Sequence, residues 1–391
     1  MNQLEITFWI CAAALLYAYA GFPMLVSGLA RLRGRPAPRR APFAGSVSIV
    51  LAVHNEEANL ARRLLEFADA LKTSGIKGEI IVVSDGSRDG TADIARSHTG
   101  VQLVELEQNQ GKAAALSAGC ALAKNDILLF ADARQQWAGD ALSRLLENFA
   151  DPEIGAVSGD LIIESSPGVL AGVSLYWRFE KWLRKQESNL HSTVGVTGAI
   201  CAVRRELFRP IPPGTLLDDV YWPLQVAFQG YRVIHDERAR ALDRFPDRAR
   251  DEFRRKIRTL SGNFQLITRL PALLVPWRNP LWLQTVSHKL LRLLAPWLLL
   301  AALAISAVLP GQGFTIAFWG QVCFYLVGLA GLVPAVAKRS RLAAAAGSFL
   351  VLNAAAWLAF WTWITGQAGR SWTRVRYQES LGPMRTIGNG P

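Results

Sequence analysis

The chain has 391 residues, a net charge of +12 and a hydrophobic fraction of 51%. Its mean hydropathy of +0.18 is above that of an ordinary soluble enzyme, and the length allows one large domain or two smaller ones. The four cysteines show no Cys-x-x-Cys or Cys/His spacing, so they give no indication of a metal site and are expected to be reduced, buried thiols.

The first apolar segment, residues 6–30, carries no charge and is long enough to span a bilayer. A signal peptide is the alternative, but residues 1–5 contain an acid and no base, whereas a signal peptide begins with positive charge. Five arginines follow without an intervening acid: Arg31, Arg33, Arg35, Arg39 and Arg40. Positive charge beside a span faces the cytoplasm, so we expect the next domain to be cytoplasmic and the N-terminus to lie outside.

Nucleic-acid binding would also explain the positive charge. Anionic lipid and a diphosphate substrate account for the same basic patches, so no nucleic-acid partner is expected.

After a basic Pro/Arg linker at residues 31–45, strand and helix patterns alternate. Branched apolar runs predict strands at residues 46–53, 79–85, 101–106 and 126–133. Helices are predicted at residues 57–72, 91–98, 112–124 and 139–149. In the first of these helices, one side carries Leu60, Leu64, Leu65, Phe67, Ala68 and Leu71. This order indicates a parallel, doubly wound α/β sheet.

The chain is less regular from residue 150 to residue 246. Residues 154–163 predict a pair of strands, residues 169–190 a long amphipathic helix, and residues 231–241 a further strand. Residues 221–229 predict a helix between them. The segment 247–290 is basic and amphipathic, starting with a helix at 248–263, and its Pro and Trp content suits the membrane interface rather than a span.

Three apolar runs, at residues 291–310, 314–337 and 342–365, predict transmembrane helices within the segment 291–366. Buried helices of a soluble protein are the alternative, but the length of the runs and the cluster of Trp357, Trp361 and Trp363 favour spans. Four spans would return the C-terminus to the outside. The basic tail at 367–391 contradicts that orientation, so one run is expected to be interfacial or re-entrant.

Acidic residues occur at three notable points, two of them at the ends of predicted strands. Asp85 and Asp132 each end a buried apolar run, and Asp218-Asp219 follows a Gly/Pro turn. The carboxyl ends of parallel strands meet at the ligand-binding edge of such a sheet. An edge that collects carboxylates at these three points can bind a nucleotide, hold a metal and abstract a proton.

The order and spacing of these motifs resemble the membrane-integrated family 2 glycosyltransferases, which include hyaluronan, chitin-oligosaccharide, cellulose and poly-N-acetylglucosamine synthases. The resemblance covers about residues 40–290 by motif and the flanking spans by layout. It implies an α/β fold of the GT-A type, a Rossmann-like nucleotide-diphospho-sugar transferase domain, at residues 46–246 between transmembrane helices. It further implies inverting transfer from a UDP-sugar of the glucose or N-acetylglucosamine type to a growing polysaccharide or glycolipid, in the bacterial inner membrane.

On the donor side, the resemblance assigns His54, Asn55 and Glu56 to the first nucleotide loop. Asp85 resembles the aspartate that hydrogen-bonds the uracil. Lys112, in the sequence Asn-Gln-Gly-Lys, resembles the lysine that approaches the diphosphate.

Asp132-Ala133-Arg134-Gln135 takes the place of the family's Asp-x-Asp, in which the first acid meets ribose and metal. Because Arg134 replaces the second acid, Mg²⁺ or Mn²⁺ would be held by Asp132, substrate oxygens and water. Alternatively, Arg134 itself neutralises the phosphate charge. A bound cation repels a guanidinium, so we expect Arg134 to turn towards solvent, a phosphate oxygen or Asp218/Asp219.

On the acceptor side, Asp219 resembles the base that deprotonates the acceptor hydroxyl, and Asp218 would orient it or raise its pKa through like charge. Thr197 and Gly198 resemble the loop that lines the acceptor site, where a glycine lets the backbone approach a sugar.

The segment from Arg255 to Thr259 takes the place of the Gln/Arg-x-x-Arg-Trp motif, which assigns Arg255 and Arg258 to the donor diphosphate. Thr259 replaces the tryptophan on which an acceptor sugar stacks. This loss weakens the case for processive polymerisation and favours the alternative of single transfer to a lipid, such as a polyprenyl phosphate or a ceramide-like acceptor.

The expected partners are the UDP-sugar, the acceptor, the bilayer and other polysaccharide-export components. A catalytically inactive scaffold of a polysaccharide assembly machine is a further alternative, supported by the altered Asp-x-Asp motif alone.

Overall fold

A computed structural model describes residues 2–164, 171–244 and 249–368. In chain order, the strands of its sheet are β1 (Ser46–Val53), β2 (Lys77–Asp85), β3 (Val101–Leu106), β4 (Ile127–Ala131), β5 (Gln136–Trp137), β6 (Ile154–Glu164), β7 (Ile200–Arg204) and β8 (Arg232–Arg244). They form one 8-stranded sheet in the order β3-β2-β1-β4-β7-β6-β8-β5.

The helices of the described residues surround this sheet or lie beside it. They are α1 (Gln3–Arg33), α2 (Glu57–Ser74), α3 (Thr91–Ser97), α4 (Lys112–Leu122), α5 (Ala141–Leu146), α6 (Ala171–Leu190), α7 (Asp218–Phe228), α8 (Ala249–Arg269), α9 (Trp282–Val308), α10 (Gln312–Gly331), α11 (Pro334–Arg339) and α12 (Arg341–Ile364). Two of them contain a π-helical segment, Tyr17–Gly21 in α1 and Thr285–Leu290 in α9.

The first half of the sheet confirms the predicted α/β arrangement. β1 pairs in parallel with β2 and β4, and β2 pairs in parallel with β3. Alternate residues of a strand point to opposite faces, so Val50 packs with α4 whereas Ile49 and Leu51 pack with α2. Burial on both faces explains the almost continuous apolar runs in the sequence.

The second half of the sheet is mixed, so the expectation of a parallel sheet is wrong there. β7 runs antiparallel to β4 and β6, and β5 runs antiparallel to β8. The predicted strand pair at residues 154–163 is also wrong, because β6 is a single strand with register shifts at Gly155 and Gly159. A Cβ atom at Gly159 would lie 2.6 Å from the carbonyl oxygen of Ala239. This glycine therefore permits a close backbone approach at a bulge and does not form a turn.

Helix α2 differs from the prediction in which side chains it buries. Leu60, Leu64 and Phe67 are buried as expected, but Leu65 is 63% exposed. The side chain of Arg63 is fully buried instead. The helix therefore turns a charged residue towards the sheet, and the contacts of that residue are described with the site.

Four helices, α1, α9, α10 and α12, are long and apolar enough to cross a membrane. Helix α9 begins at Trp282, before residue 291 at which the predicted transmembrane segment starts. The boundary between an interfacial segment and a span stays a prediction. Small residues bring α10 and α12 together, since a Cβ atom at Gly331 would overlap the backbone of Ala343. Such close contacts are typical of helix pairs in membranes.

The three predicted C-terminal runs lie wholly or mostly on helices long enough to cross a membrane. The expectation that one of them is interfacial or re-entrant stays a prediction. The tail with Arg370, Arg374 and Arg376 lies outside the described residues, as do Arg248 and the predicted start of the helix at 169–190.

Candidate active site

The loops that follow β1 and β2 are locked together by side-chain hydrogen bonds. His54 Nδ1 lies 2.7 Å from the carbonyl oxygen of Asp85, and Asn55 Nδ2 lies 3.1 Å from His54 Nε2. These two contacts assign the neutral tautomer with its proton on Nδ1. Asn55 adopts a left-handed conformation with φ 55°, and its Oδ1 accepts the Arg88 N–H at 2.8 Å. The two predicted nucleotide loops therefore form one rigid unit.

Asp85, at the end of β2, is fully buried. Its carboxylate oxygens accept the backbone N–H groups of Gln110 at 2.7 Å and Gly111 at 2.9 Å. Gly111 has φ 92°, a conformation that favours glycine, and α4 begins at the next residue, Lys112. Asp85 therefore fixes the start of α4. The sequence did not indicate this role, and the contact of Asp85 with the nucleotide base stays a prediction.

Lys112 lies among the acidic residues of the site. Its Nζ is 2.6 Å from Asp132 Oδ1. Burial disfavours the ammonium ion, but the charges of Asp132, Asp218 and Asp219 outweigh burial and raise the pKa of Lys112 above its ordinary value. A Cβ atom at Gly198 would lie 3.2 Å from this Nζ and 3.9 Å from Asp219 Cβ. The structure thus brings together residues predicted for the donor, the metal, the base and the acceptor loop.

Asp218 and Asp219 occupy the first turn of α7. Burial raises the pKa of both carboxyls, and the charge of Asp218 adds to this effect at Asp219, whose pKa is raised to about 6. Lys112, Arg184 and Lys289 act in the opposite direction on Asp219. A carboxylate with a pKa close to neutral pH is suited to abstract a proton.

A proline inside α7 connects Asp219 to the predicted acceptor loop. Pro223 lies four residues after Asp219 and has no N–H, so the helix cannot satisfy the Asp219 carbonyl with its usual hydrogen bond. That carbonyl accepts the N–H of Val196 at 2.8 Å instead. Thr197 and Gly198 follow directly along the chain. Sequence reasoning missed this connection, although a proline four residues after an acid in a helix is a detectable signal.

Thr197 is held from two sides. Its N–H donates to Ser158 Oγ at 3.0 Å, and its Oγ1 accepts Arg184 Nη1 at 2.9 Å. Arg184 belongs to α6 and was not among the predicted site residues.

Arg134 pairs with Asp243, which was not among its expected partners (solvent, a phosphate oxygen or Asp218/Asp219). Its Nε and Nη2 donate to the two carboxylate oxygens of Asp243 at 3.0 and 2.7 Å. Gln135 Nε2 donates to the same carboxylate at 3.0 Å. Asp243 is buried in β8. This bidentate pair fixes the Asp-Ala-Arg-Gln loop to the far part of the sheet.

Two arginines of α2 hold the backbone of the same loop, and sequence reasoning missed both. Arg62 Nη2 donates to the Arg134 carbonyl at 2.8 Å, and Arg63 Nε donates to the Asp132 carbonyl at 3.1 Å. Arg63 Nη1 also pairs with Glu66 at 2.7 Å. Burial lowers the pKa of Arg63 to about 10, which still leaves it charged at neutral pH. Adjacent arginines beside an apolar helix face were the available signal.

The remaining predicted residues lie further from this centre or act on it only through charge. Arg258 of α8 acts electrostatically on Asp218. Arg255 forms an ion pair at 2.9 Å with Glu252 of the same helix. Glu56 accepts a hydrogen bond from Asn59 at 2.8 Å.

The site fits a divalent cation only with help from the substrate. Within the described residues, no group of three or more His, Cys, Asp or Glu side chains is placed to hold a metal. Asp132 supplies one hard oxygen donor beside Lys112. The other ligands would have to come from diphosphate and water, which are usual partners of Mg²⁺.

Comparison with known proteins agrees with this architecture. The family model described as glycosyl transferase family 2 matches residues 48–211, and that of glycosyl transferase family group 2 matches residues 131–364. A poly-β-1,6-N-acetyl-D-glucosamine synthase of Staphylococcus aureus is 23% identical over 232 residues, covering 57% of this chain and 56% of the relative. The synthase of Staphylococcus epidermidis is 22% identical over the same shares. The chain therefore matches about half the length of these curated relatives.

A solved mannosyltransferase of Pyrobaculum calidifontis, in complex with GDP-Man and Mn²⁺, has the same fold. The TM-score is 0.61 at 23% identity, covering 89% of this chain and 98% of that chain. Fold and site together define a nucleotide-sugar glycosyltransferase of the GT-A type. The chain belongs to the family 2 group of glycosyltransferases, which confirms the resemblance found in the sequence.

The hydrogen bonds of Asp85 predict a double effect of Asp85→Asn. The amide places an NH₂ group against a backbone N–H, so the variant is expected to lose about 1–3 kcal/mol of unfolding free energy. It should also bind nucleotide more weakly, because the loop before Lys112 loosens. Chemical denaturation and calorimetry check this, with the exposed Asp93→Asn as control. Weaker nucleotide binding without any loss of stability would contradict the positioning role.

The Arg134–Asp243 pair predicts that Arg134→Asp will not recreate a working Asp-x-Asp site. The substitution leaves the buried Asp243 without its guanidinium partner, at a cost of about 3–5 kcal/mol in unfolding free energy. We expect a lower melting temperature and no gain in Mn²⁺ affinity in the presence of UDP. The exposed Arg209→Ala serves as control. Tighter Mn²⁺ binding at unchanged stability would disprove this account.

Proposed function

We propose that the protein catalyses inverting transfer of a sugar of the glucose or N-acetylglucosamine type from a UDP-sugar to an acceptor at the membrane, with Asp219 as the general base. One observation carries the proposal. Asp219, whose pKa is raised to about 6, is joined through its carbonyl to the Val196–Gly198 loop. Its charge also acts on Lys112, which contacts Asp132.

The chemistry needs one base and no protein nucleophile. The acceptor oxygen attacks C1 of the donor sugar on the face opposite the diphosphate, and the acceptor proton passes to Asp219. The new C1–O bond forms as the C1–O bond to the nucleotide breaks, and UDP leaves with the electron pair. Burial and the charge of the neighbouring Asp218 together raise the pKa of Asp219 to about 6.

The leaving diphosphate requires positive charge. Lys112 can supply it, since its ammonium group contacts Asp132 and interacts with the charges of Asp218 and Asp219. Asp132 is the residue that would hold Mg²⁺ or Mn²⁺, and such an ion, when bound, neutralises the diphosphate as it departs. The mannosyltransferase with the same fold is described in complex with Mn²⁺.

The proposal also concerns the nucleobase of the donor and the identity of the acceptor. The curated relatives are named for a β-1,6-linked N-acetylglucosamine polymer, which favours UDP-N-acetylglucosamine, whereas the mannosyltransferase binds GDP-Man. Release of UDP or GDP from a panel of nucleotide sugars distinguishes them. The acceptor is a growing glycan as in the relatives, or a lipid, as the loss of tryptophan at Thr259 favours.

We further propose that α1, α9, α10 and α12 span the bacterial inner membrane, with the sheet on the cytoplasmic side. The arginines that follow α1 support this orientation. Other polysaccharide-export components are proposed as partners on the basis of the same relatives. The inactive scaffold is the weaker reading, because a scaffold does not need a base with a raised pKa beside an acceptor loop.

The assignment of Asp219 as the base predicts the effect of a substitution and the shape of the pH profile. Asp219→Asn should reduce kcat roughly 10²–10⁴-fold, the usual loss for a general base, while UDP affinity changes little. In the wild type, kcat/KM should rise with pH through about 6 and then level off, because the base acts only when ionised. The exposed Asp69→Asn is the matched control. A variant that retains more than half of the wild-type rate would remove Asp219 from this role.

The metal assignment predicts that EDTA abolishes transfer and that Mn²⁺ or Mg²⁺ restores it at high concentration, because Asp132 is the single predicted protein ligand. Electron paramagnetic resonance should detect bound Mn²⁺ only when UDP is present. Asp132→Asn should weaken that binding at least tenfold, in line with the loss of a charged ligand. Full activity in EDTA, or tight Mn²⁺ binding without nucleotide, would refute the assignment.

A further inference from the structure

Helix α6 contacts both the sheet and the helices of membrane-spanning length. On its sheet side, Lys181 Nζ lies 2.6 Å from Asp160 Oδ2, and Ser188 Oγ accepts the His235 N–H at 2.9 Å. On its other side, the buried Leu183 packs against α1. The position of α6 is therefore set jointly by the sheet and by α1.

Helix α6 also leads directly into the predicted acceptor loop. It ends at Leu190, and Thr197 and Gly198 follow a short way along the chain. Within the helix, Arg184 Nη1 donates to Thr197 Oγ1 at 2.9 Å, and the charge of Arg184 acts on Asp219. A displacement of α6 would therefore move the acceptor loop and change the environment of the base.

Two carboxylates of α6 bind one histidine of α9. His288 Nδ1 lies 2.7 Å from Glu187 Oε1, and His288 Nε2 lies 2.9 Å from Glu180 Oε2. A carboxylate accepts hydrogen bonds, so both ring nitrogens donate, as they do in an imidazolium. Arg292 Nη1 lies 2.5 Å from the other oxygen of Glu180. We refer to Glu180, Glu187, His288 and Arg292 as the α6–α9 cluster.

The chemistry of the α6–α9 cluster favours positioning over simple attachment. Glu180, Glu187 and His288 are buried, and burying charged groups costs solvation free energy that apolar side chains would not lose. The cluster adds direction, because each ring nitrogen has its own acceptor and a shift of α6 would break at least one of the two bonds. Apolar burial is non-directional and would tolerate such a shift.

The part of α9 that carries His288 is a π-helical turn, Thr285–Leu290. It contacts the π-helical turn Tyr17–Gly21 of α1, since Tyr17 Oη lies 2.9 Å from Ser287 Oγ. Turns of this kind are rare, and they occur frequently at functional sites.

The same turn of α9 also reaches the surroundings of the base. Lys289 directly follows His288 and lines a small cavity with Val194 and Val220. Val194 precedes the acceptor loop, and Val220 follows Asp219 in α7. The charge of Lys289 acts on Asp219 as well. Helix α9 is therefore linked to the acceptor side of the site both through α6 and directly.

We propose that His288 is a positioning residue of the transfer reaction. By binding Glu180 and Glu187, it fixes one register of α6 against α9, and α6 in turn holds Arg184 against Thr197. The acceptor side of the site is then complete only when α9 is packed against the catalytic domain. This proposal rests on the proposed function and adds to it a group that does not touch the substrate.

The donor side is held by other contacts. Its loops follow β1, β2 and β4, and they are fixed by Asp85 and by Arg63 of α2. Substitutions in the α6–α9 cluster should therefore affect turnover and the acceptor loop while the affinity for UDP stays the same.

The first test measures hydrogen–deuterium exchange of the full-length protein by mass spectrometry. In His288→Gln, the buried Glu187 loses its charged partner, so the amides of residues 193–199 should exchange about tenfold faster. Those of β1 to β4 should not change. Arg184→Gln should give the same pattern. Lys185→Met, whose partner is Glu237 on the surface, should leave all rates unchanged.

A double substitution should restore the contact. In Glu187→Gln/His288→Gln, the two amides can pair with each other, and Glu180 keeps Arg292 as its partner. Exchange in the loop should then return to within about threefold of the wild-type rate. The milder Glu187→Gln retains an acceptor for His288 and should show a smaller increase at the same residues, which tests the proposal if His288→Gln does not fold.

Turnover gives an independent readout. We expect His288→Gln in native membranes to release UDP from UDP-N-acetylglucosamine with a kcat at least about tenfold lower, because small displacements of reacting groups lower rates strongly. KM for the UDP-sugar and the calorimetric affinity for UDP should change little. The double variant should recover most of the lost kcat.

Unchanged exchange at residues 193–199 in His288→Gln and Glu187→Gln would overturn the proposal. So would an equal increase in the loop and in β1 to β4, or a loss of UDP affinity that parallels the loss of kcat. If the wild-type protein releases neither UDP nor GDP from any nucleotide sugar, the proposed function fails, whereas the exchange rates still decide whether His288 positions the loop.

Discussion

The acidic edge of this sheet depends on the positive charge of the Lys112 ammonium group. Asp132, Asp218 and Asp219 reach one place from two separate elements, and two like charges about 4 Å apart repel by about 4 kcal/mol near a protein surface. Lys112 offsets this repulsion through its contact with Asp132, and Asp85 in turn fixes the start of the helix that carries Lys112.

The loop in which Arg134 replaces an acid is held in place by side chains from two other elements. The loop is held from one side by Arg62 and Arg63 of α2 and from the other by Asp243 of β8. At the position where the resemblance implies a second metal-binding acid, Arg134 therefore ties the loop to the sheet. The position of Asp132 depends on these ties, since its carbonyl is one of the groups they hold.

The parts of this fold that the sequence predicted are those that depend on short-range patterns of residues. The apolar runs of β1 to β4 and the acids at the ends of β2 and β4 are short-range patterns, and all appear where expected. The direction of β7 and the bulge at Gly159 were not predictable, because both depend on pairing between distant strands. The same holds for the contact of Arg134 with Asp243 and for the burial of Arg63, since composition assigns an arginine to the surface. Helix α9 begins before its apolar run, and its first turns contain buried polar residues that an apolar pattern does not reveal.

Helix α9 carries Lys289 and an apolar stretch of membrane-spanning length on one continuous helix. A helix whose apolar stretch is longer or shorter than the hydrocarbon layer around it responds by tilting. In the membrane orientation proposed above, tilt changes how far Lys289 stands above the acyl chains. Under that proposal, the thickness of the surrounding bilayer is a physical variable of the reaction, on the same footing as pH or metal concentration.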